Sequence, residues 1–379
     1  MLHAAGFIVR SADELKDRIR AETTISPTLA FIFSSTKLGI PEVVGAIGPL
    51  KIPVFGSSSA GEILAGPEGS PVYEQSAVCC LLDMPPEFFS VRLFDRGETP
   101  AHEFGELIGR WGAEQFAQPA FIISIANLEN NGEAIIRALE GVCPAGTPVF
   151  GGFAGDLGMP KKTSVFTESE YSSDGAVVIV FDMSRVTING FTSMGWDGVG
   201  ADLIITSSEG NLVYTIDGRP ALDVVEEYLG VRDTDVVPVS INFPLMLKRP
   251  DGTEILRTVF AADFDKRSLK FAGNVPQGAK VRFSSSFGRD TIDTAIRDFS
   301  VYHPKRGRAD LLLIFSCLAR HRAAGPMVDD EIMAAYRLWK CPLIGLFACG
   351  EIGPNRYGTC ELFNEGIALI LIHLGNDGT

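Results

Sequence analysis

Three segments of the chain contain the same kind of corner, in which an apolar run reaches a glycine, passes through small residues and ends at a second glycine followed by an acid. Residues 53–63 align without a gap on residues 342–352, and residues 148–156 form a third copy that is one residue shorter when each copy is counted from its first proline to its acid. Glycine lets a ligand approach the backbone closely and leaves N–H groups unpaired and directed outward. The three corners are therefore candidates for a ligand-binding site.

A purely structural interpretation of the corners is also open, because tight turns between packed layers need glycine as well. Glu62, Asp156 and Glu351 favour a binding site, since an acid in the same place after each turn is more than turn geometry requires. The predicted ligand-binding residues of the corners are Gly56, Ser57, Ser58, Gly61, Glu62, Gly151, Gly152, Asp156, Gly350 and Glu351.

The third copy is accompanied by a thiol and a guanidinium at the end of a preceding apolar run. These groups belong to Cys317 and Arg320. Arg320 could hold a carboxylate with two parallel hydrogen bonds while Glu351 holds an ammonium, an arrangement that would recognise an amino acid. An internal salt bridge from Arg320 to Glu351 or to Glu331 is the alternative.

An enzyme would need an activated nucleophile or an acid–base pair, and the best candidate is Cys317 or Cys349 beside His321. The spacing indicates no third group that would orient the histidine. Glu62 and Glu351 could act as a glycosidase-like pair only at a suitable separation. No P-loop lysine or dinucleotide fingerprint accompanies the glycines, so we expect a binding protein without a cofactor rather than an enzyme.

The corners are placed within repeated β-α-β-loop-β units. Apolar runs that read as buried strands precede each corner at residues 29–33, 121–125 and 311–315, and amphipathic helical patterns fill the intervals. A second set of buried strands follows the corners at residues 77–82, 176–181 and 367–372. This order predicts an α+β fold with mixed sheets covered by helices.

Alternating, strand-like patterns occupy the chain between the second and third units. They are predicted at residues 186–188, 236–243, 255–261 and 281–287. Asp217 and Gly218 indicate a turn in this region. A new helical pattern follows and ends at Gly230, which is its predicted C-cap. We therefore predict two domains, at residues 1–215 and 216–379.

Composition excludes several classes of partner. Lysine and arginine total 33 against 47 acidic residues, which gives a net charge of −14 and argues against nucleic acid and anionic membranes. The N-terminus shows no secretion signal, and the longest apolar run is far below the roughly 20 residues needed to span a bilayer. The seven cysteines are odd in number and lack paired zinc-ribbon spacing, so we expect reduced thiols, no metal and a cytoplasmic protein without membrane insertion.

Taken together, the motifs resemble the FIST family, whose N-terminal and C-terminal domains occur in bacterial signalling proteins and in some eukaryotic F-box proteins. The first two corners look like those of the FIST N-terminal domain. The segments similar to the C-terminal domain are residues 216–221, 316–320, 350–354 and 363–364. The chain departs from the family at Gly366, where a threonine is usual, and at residues 346–349, which are more apolar than the usual stretch.

The resemblance implies a sensory module that binds a small molecule, with an amino acid as the proposed ligand. It adds Asn364 to the predicted ligand-binding residues, together with Cys317 and Arg320 from the third unit. The two FIST-like domains account for the chain, so a separate signalling protein is the expected partner. A protein-interaction scaffold without a small ligand is the alternative.

Overall fold

The computed structural model describes residues 2–67, 69–157, 163–249, 252–286, 289–306, 308–355 and 358–375. The first unit runs as β1 (His3–Val9), α1 (Ala12–Ala21), β2 (Leu29–Ser35), α2 (Ile40–Ile47), β3 (Val54–Ser59), β4 (Glu62–Ala65), β5 (Val72–Tyr73) and β6 (Ala77–Asp83). The second runs as β7 (Phe89–Asp95), α3 (Ala101–Gln115), β8 (Pro119–Ile125), α4 (Gly132–Val142), β9 (Val149–Phe153), β10 (Val165–Phe166), β11 (Tyr171–Ser172) and β12 (Gly175–Asp182).

The third unit is split by an inserted module between its first strand, β13 (Val186–Ser193), and its first helix. The module runs as β14 (Asp197–Glu209), β15 (Leu212–Ile216), β16 (Arg219–Pro220), α5 (Ala221–Leu229), α6 (Val236–Ser240), β17 (Leu245–Lys248), β18 (Glu254–Arg257), β19 (Val259–Asp263), β20 (Ser268–Phe271) and β21 (Lys280–Ser285). The unit then continues as α7 (Asp290–Arg306), β22 (Leu311–Cys317), α8 (Leu318–Ala324), α9 (Val328–Trp339), β23 (Leu343–Ala348), β24 (Glu351–Pro354), β25 (Cys360–Phe363) and β26 (Ile367–Leu374).

Each unit contributes four strands to one six-stranded sheet, and the three sheets share one strand order. The orders are β1-β6-β2-β3-β10-β11, β7-β12-β8-β9-β24-β25 and β13-β26-β22-β23-β4-β5. The pair β2–β3 is parallel, as are β8–β9 and β22–β23, and the neighbouring pairs are antiparallel. The α+β class with mixed sheets covered by helices is confirmed.

The loop after each corner is a β-hairpin that joins the sheet of a different unit. The hairpin β4–β5 pairs with β23, β10–β11 pairs with β3, and β24–β25 pairs with β9. The exchange is cyclic, so no unit completes its sheet alone. Strands also pair across residue 215, where β13 joins β26 and β14 joins β21. The division into domains at that residue stays a prediction.

The central core lies between the inner faces of the three sheets. Phe33, Phe55 and Phe315 are fully buried there, and the rings of Phe33 and Phe315 lie 6.1 Å apart with an edge-to-face orientation. Helices α1 and α2, α3 and α4, and α7 and α9 cover the outer faces with their apolar stripes. None of the helices in the described part of the chain is both long and apolar enough to cross a membrane.

The predicted C-cap at Gly230 is confirmed, and one predicted strand is wrong. Ser11 caps α1 by accepting a hydrogen bond from the Glu14 amide at 3.1 Å, and Gly230 ends α5 with a φ of 67°. Residues 236–243 form helix α6 and a turn rather than a strand. Pro238 lies in the first turn of α6, where a missing N–H costs no helical hydrogen bond, so proline and β-branched residues do not prevent the helix.

The other predicted strands of the insertion are present with different bounds. The strand predicted at 255–261 is divided into β18 and β19, and the one predicted at 281–287 is β21, whose predicted last residue, Phe287, lies outside the described residues. The strands of this module form an eight-stranded sheet with β16 paired to β15. The module therefore places loops and α6 next to the third corner.

Candidate functional site

The three corners meet one another through their backbones. The amide of Ala60 donates to the carbonyl of Phe347 at 2.9 Å, and the amide of Gly155 donates to the carbonyl of Ser58 at 2.9 Å. The amide of Phe153 donates to the carbonyl of Gly350, also at 2.9 Å. The corner N–H groups that sequence analysis expected to face a ligand therefore bind neighbouring corners at these positions.

Protein atoms also fill the space beside the corner glycines. Gly56 lies against the ring of Phe166, and Gly152 lies against the carbonyl of Gly350. Gly151 has a φ of 139° and lies against the carbonyl of Ile123, so a side chain is excluded by both conformation and contact. The predicted binding glycines Gly61 and Gly350 also have positive φ, at 142° and 146°. These contacts show why packing of the corners requires glycine.

The serines of the first corner serve contacts within the protein. The hydroxyls of Ser57 and Ser124 lie 2.8 Å apart, and the Ser58 hydroxyl donates to the Gly155 carbonyl at 2.9 Å. Both serines are buried. Neither of these two predicted site residues has a free hydroxyl at this corner.

Glu62 is fully buried and receives three hydrogen bonds. The Ser59 hydroxyl donates to Oε1, while the amide and hydroxyl of Ser76 donate to Oε2 at 3.1 and 2.6 Å. Burial raises the pKa of Glu62 to about 7, and these hydrogen bonds oppose the rise. Both carboxylate oxygens at the first corner are therefore buried and hydrogen-bonded within the protein.

Glu351, the matching acid of the third corner, is equally buried but has fewer donors. The Gly366 amide donates to Oε2 at 3.0 Å, while Oε1 has no hydrogen-bond partner among the described residues. Burial raises the pKa of Glu351 well above its usual range. Glu365 lies next to it in the cluster, accepts a 2.8 Å hydrogen bond from the Thr258 hydroxyl, and has a pKa that burial raises to about 8.

Arg320 forms the internal salt bridge to Glu331 that sequence analysis gave as an alternative. Its Nε and Nη2 donate to the Glu331 carboxylate at 3.0 and 2.6 Å, and both side chains are fully buried. The remaining donors bind backbone carbonyls of Met194, Thr291 and Glu365. The guanidinium is thus occupied by protein, and its contacts are those of a structural ion pair rather than of a ligand anchor.

A cavity of about 210 Å³ lies beside the third corner, between the third unit, the second corner and the inserted module. It contains three of the predicted site residues, Asp156, Cys317 and Asn364. The rest of its lining is Leu128, Val237, Ile241, Thr258, Val259, Phe260, Ala272, Leu318, Ala319, Arg322, Ala348 and Cys349. Glu62, Arg320 and Glu351 are not among the lining residues.

The polar groups of the cavity are few. Asn364 is 2% exposed; its Nδ2 donates to the Phe363 carbonyl at 3.1 Å, and its Oδ1 has no hydrogen-bond partner among the described residues. Asp156 accepts a 3.0 Å hydrogen bond from the Thr36 hydroxyl, and Arg322 donates to the Leu157 carbonyl at 3.1 Å. An acceptor without a donor in an apolar cavity is costly unless something else supplies the hydrogen bond.

The two thiols of the cavity are not activated. Burial raises the pKa of Cys317 well above its ordinary value and raises that of Cys349 to about 12, so both are protonated at neutral pH. His321 stacks on Phe347 at 4.1 Å between ring centroids, and burial lowers its pKa. This geometry does not favour the cysteine-dependent enzyme considered from the sequence. Within the described residues, no group of three or more potential ligands is arranged to hold a metal ion.

Sequence analysis missed the part of the cavity wall that comes from the inserted module. Val237 and Ile241 lie on the segment that was assigned to a strand, and Thr258 and Phe260 lie at the junction of β18 and β19. Nothing in their spacing marks them as site residues, because they reach the third corner only through the tertiary position of the module. The apolar stretch at residues 346–349, noted from the sequence as a departure from the family, contributes Ala348 and Cys349 to the cavity wall.

Comparison with known proteins agrees with this architecture. The FIST N domain model matches residues 28–219, and the FIST C domain model matches residues 221–354. An uncharacterized protein of Mycobacterium bovis is 28% identical over 222 residues, which is 55% of this chain and 56% of the relative. An uncharacterized protein of Mycobacterium tuberculosis is 26% identical over 224 residues, 55% of this chain and 57% of the relative.

The chain thus spans about half the length of the curated relatives it matches. The two domain models together account for most of its residues. FIST domains are associated with signal transduction. The chain belongs to the family of proteins that contain the FIST N and FIST C domains.

Proposed function

We propose that this protein is an input module of a signalling system and that it binds a small amino acid or related amine in the cavity beside the third corner. The observation that supports this most directly is Asn364, which lines the cavity and whose buried Oδ1 lacks a donor among the described residues. A ligand N–H would satisfy it. The free energy recovered from satisfying a buried acceptor is about 1–3 kcal/mol.

The size and lining of the cavity favour a small ligand with an apolar body. Its volume of about 210 Å³ is below the range of roughly 300–1,000 Å³ that is usual for drug-sized ligands. Aliphatic side chains and Phe260 make up most of the wall. A single apolar amino acid or a similar amine suits these dimensions better than a nucleotide or a sugar chain.

The polar lining residues supply complementary groups for a zwitterion. Asp156 and the Asn364 Oδ1 are acceptors for an ammonium, and Arg322 is a donor for a carboxylate. Arg322 thus takes the role that the sequence suggested for Arg320, and Asp156 takes the role suggested for Glu351. The apolar wall then selects the ligand side chain.

A signal from the cavity would leave through a separate protein partner. The cavity wall combines the second corner, the third unit and the inserted module, so a ligand there contacts all three at once. Differential contacts are what a ligand needs in order to shift a conformational equilibrium. The surface of the inserted module is the part we expect the partner to recognise.

The test is calorimetric titration of the purified protein with apolar amino acids, their methyl esters and simple amines. Wild-type protein should bind at least one of them, and ligand at about 100 times the dissociation constant should add roughly 2.7 kcal/mol to the free energy of unfolding. Asp156→Asn and Asn364→Leu should each weaken binding about tenfold or more, which corresponds to about 1.4 kcal/mol.

Asp17→Asn is the matched control, because Asp17 lies on the exposed side of α1 and loses the same charge. It should bind like the wild type. Unchanged affinity in both cavity variants would exclude this cavity as the site. If no amino acid or amine binds the wild type while a protein partner does, the interaction-scaffold alternative would replace the sensor.

A further inference from the structure

A second and larger cleft is lined by none of the residues that line the cavity described above. It encloses about 710 Å³ between α4 of the second unit, the end of β17 and the loop that leads into β21. Its walls therefore come from two structural modules. The proposed amino-acid site does not involve it.

Basic side chains dominate the lining of this cleft. Arg137, Lys248, Arg249, Arg257 and Lys280 line it, and Glu133 is the one acidic lining residue that the described part of the cleft contains. The chain as a whole has a net charge of −14. A concentration of cations within a low-dielectric concave surface attracts anions even when the net charge of the protein is negative.

The two lysines of this lining are direct neighbours in the sheet, where they repel each other, and Lys248 also faces Glu254 on β18. Lys248 on β17 and Lys280 on β21 are direct partners in the antiparallel ladder, so their side chains emerge on the same face of the sheet. Like charges in this position destabilise a sheet. Lys248 has a partial counterion in Asp202 at 3.4 Å, and Lys280 has no carboxylate within ion-pair distance in the described part of the chain. A bound anion would relieve this repulsion.

Two of the arginines in the cleft lining are held by ion pairs within the protein. Arg257 is 1% exposed, donates from Nε to the Asn274 carbonyl at 3.0 Å and pairs with Glu133. Arg249 pairs with Glu361. These ion pairs hold the cleft wall in place, so its shape exists before any ligand arrives.

Arg137 is an exposed member of the same wall. It has no ion pair at contact distance among the described residues, although Glu140 on the same helix lies close enough to feel its charge. The carboxylate of Glu140 accepts a 3.0 Å hydrogen bond from the Cys360 amide instead. The guanidinium of Arg137 and the ammonium of Lys280 are therefore the groups with most capacity left for a ligand.

We infer that this cleft binds a small organic molecule that carries at least two phosphate groups. Several separate cations around a wide cleft match an extended polyanion better than a single carboxylate, and arginine forks together with lysine point charges are the usual phosphate ligands in proteins. The apolar lining residues Pro276 and Ala279 suit the organic part of such a molecule. Binding would fix α4 against the inserted module.

The test uses tripolyphosphate as the probe, in calorimetric titrations of the full chain at low and moderate salt, with sulfate, citrate and a nucleoside diphosphate as further arms. Tripolyphosphate should bind wild-type protein at least tenfold more tightly than sulfate or citrate. The double variant Arg137→Ala/Lys280→Ala should weaken tripolyphosphate binding at least tenfold. A nucleoside diphosphate that competes with the probe and binds more tightly would identify an organic phosphate, whereas equal or weaker binding would overturn the organic part of the inference.

The matched control is Arg20→Ala/Lys305→Ala, which removes two exposed charges from α1 and α7, far from the cleft lining. It should retain wild-type affinity. Equal weakening by the control, equal binding of citrate, or no binding to the wild type at millimolar probe would each overturn the assignment. The cavity variant Asp156→Asn should leave tripolyphosphate binding unchanged, which separates failure here from failure of the proposed amino-acid site.

Discussion

The first and third corners have the same length and the same glycine–acid ending, yet their buried carboxylates have different surroundings. Glu62 receives hydrogen bonds from two hydroxyls and one amide, whereas Glu351 receives one from an amide. The two missing hydroxyls correspond to Ser59, which aligns with Ala348, and to Ser76, whose place before the last strand of the unit is taken by Gly366.

The backbone donor is retained in both corners, so the difference lies in side chains alone. The Ser76 amide and the Gly366 amide each donate to Oε2 of the corner acid. Replacing two hydroxyls by smaller groups leaves one carboxylate oxygen without a donor and makes the corner more apolar. The same backbone thus surrounds a fully hydrogen-bonded carboxylate in the first unit and borders a cavity in the third.

A related contrast is found one residue before Gly366. Glu365 and its counterpart Gln75 both have left-handed backbones, with φ of 61° and 54°. Gln75 is exposed, while Glu365 is fully buried and bonded to Thr258 of the inserted module. The module therefore buries polar groups at the third corner that face solvent at the first.

The largest effect on the free energy of unfolding is expected from the buried ion pair that is present beside the third corner and absent beside the first. Arg320 stands where the first unit has Leu38, counted from the end of the matching strand. Arg320→Ala should lower the free energy of unfolding by about 3–5 kcal/mol, because it leaves Glu331 buried and uncompensated. Urea unfolding at pH 7 measures this.

Arg322→Ala on the same helix is the control, since its guanidinium is partly exposed and makes one backbone hydrogen bond. It should change the free energy of unfolding by about 0.5 kcal/mol or less. An equally small loss for Arg320→Ala would show that the buried pair does not support the third corner. Ligand affinity would then have to be measured on that variant.

Sequence patterns predicted the units because strand and helix periodicity are local properties. The buried strands around residues 29–33, 121–125 and 311–315 and the amphipathic helices between them are present. The exchange of hairpins between units was not predictable, since β4, β10 and β24 are two to four residues long and pair with strands far away in sequence. Register between distant strands has no local signature.

The candidate site was predictable only in part for the same reason. Asp156, Cys317 and Asn364 were found because they stand at corners or within the family motif. Arg320 was a predicted ligand-binding residue, but its guanidinium is buried, donates to the carbonyls of Thr291 and Met194, and forms an ion pair with Glu331. A sequence shows that a charge is present without showing which partner tertiary packing brings to it.

The next effect compares the two corner acids directly. Glu62→Ala should destabilise the protein by about 2 kcal/mol more than Glu351→Ala, when both are measured by urea unfolding at pH 7. The first variant leaves two hydroxyls and an amide without their acceptor, whereas the second leaves one amide, and each buried unsatisfied group costs about 1–3 kcal/mol. Both variants remove the same side-chain volume.

Equal losses from the two variants would contradict the comparison, because they would mean that the hydroxyls contribute nothing to the first corner. Ser76→Ala offers an independent check. It removes one of the two hydroxyl donors and keeps the amide, so its loss should be smaller than that of Glu62→Ala.

The smallest effect comes from restoring one hydroxyl to the third corner with Ala348→Ser. The new hydroxyl occupies the place of Ser59 and can donate to Oε1 of Glu351, which should raise the free energy of unfolding by about 1 kcal/mol at neutral pH. The gain should depend on pH. Burial raises the pKa of Glu351 in the folded protein, so the stabilisation from its bound proton is complete below the unfolded pKa of 4.5 and is lost as pH rises through the folded pKa.

A hydroxyl that donates to the carboxylate favours the ionised form and lowers this folded pKa, so it reduces the loss at high pH. The advantage of Ala348→Ser over the wild type should therefore be larger at pH 8 than at pH 5, as measured by urea unfolding at both values. Ala335→Ser, at a buried position of α9, is the control, and its effect should be the same at the two pH values. An advantage of Ala348→Ser that does not grow with pH would show that the third corner differs from the first for a reason other than its missing hydroxyls.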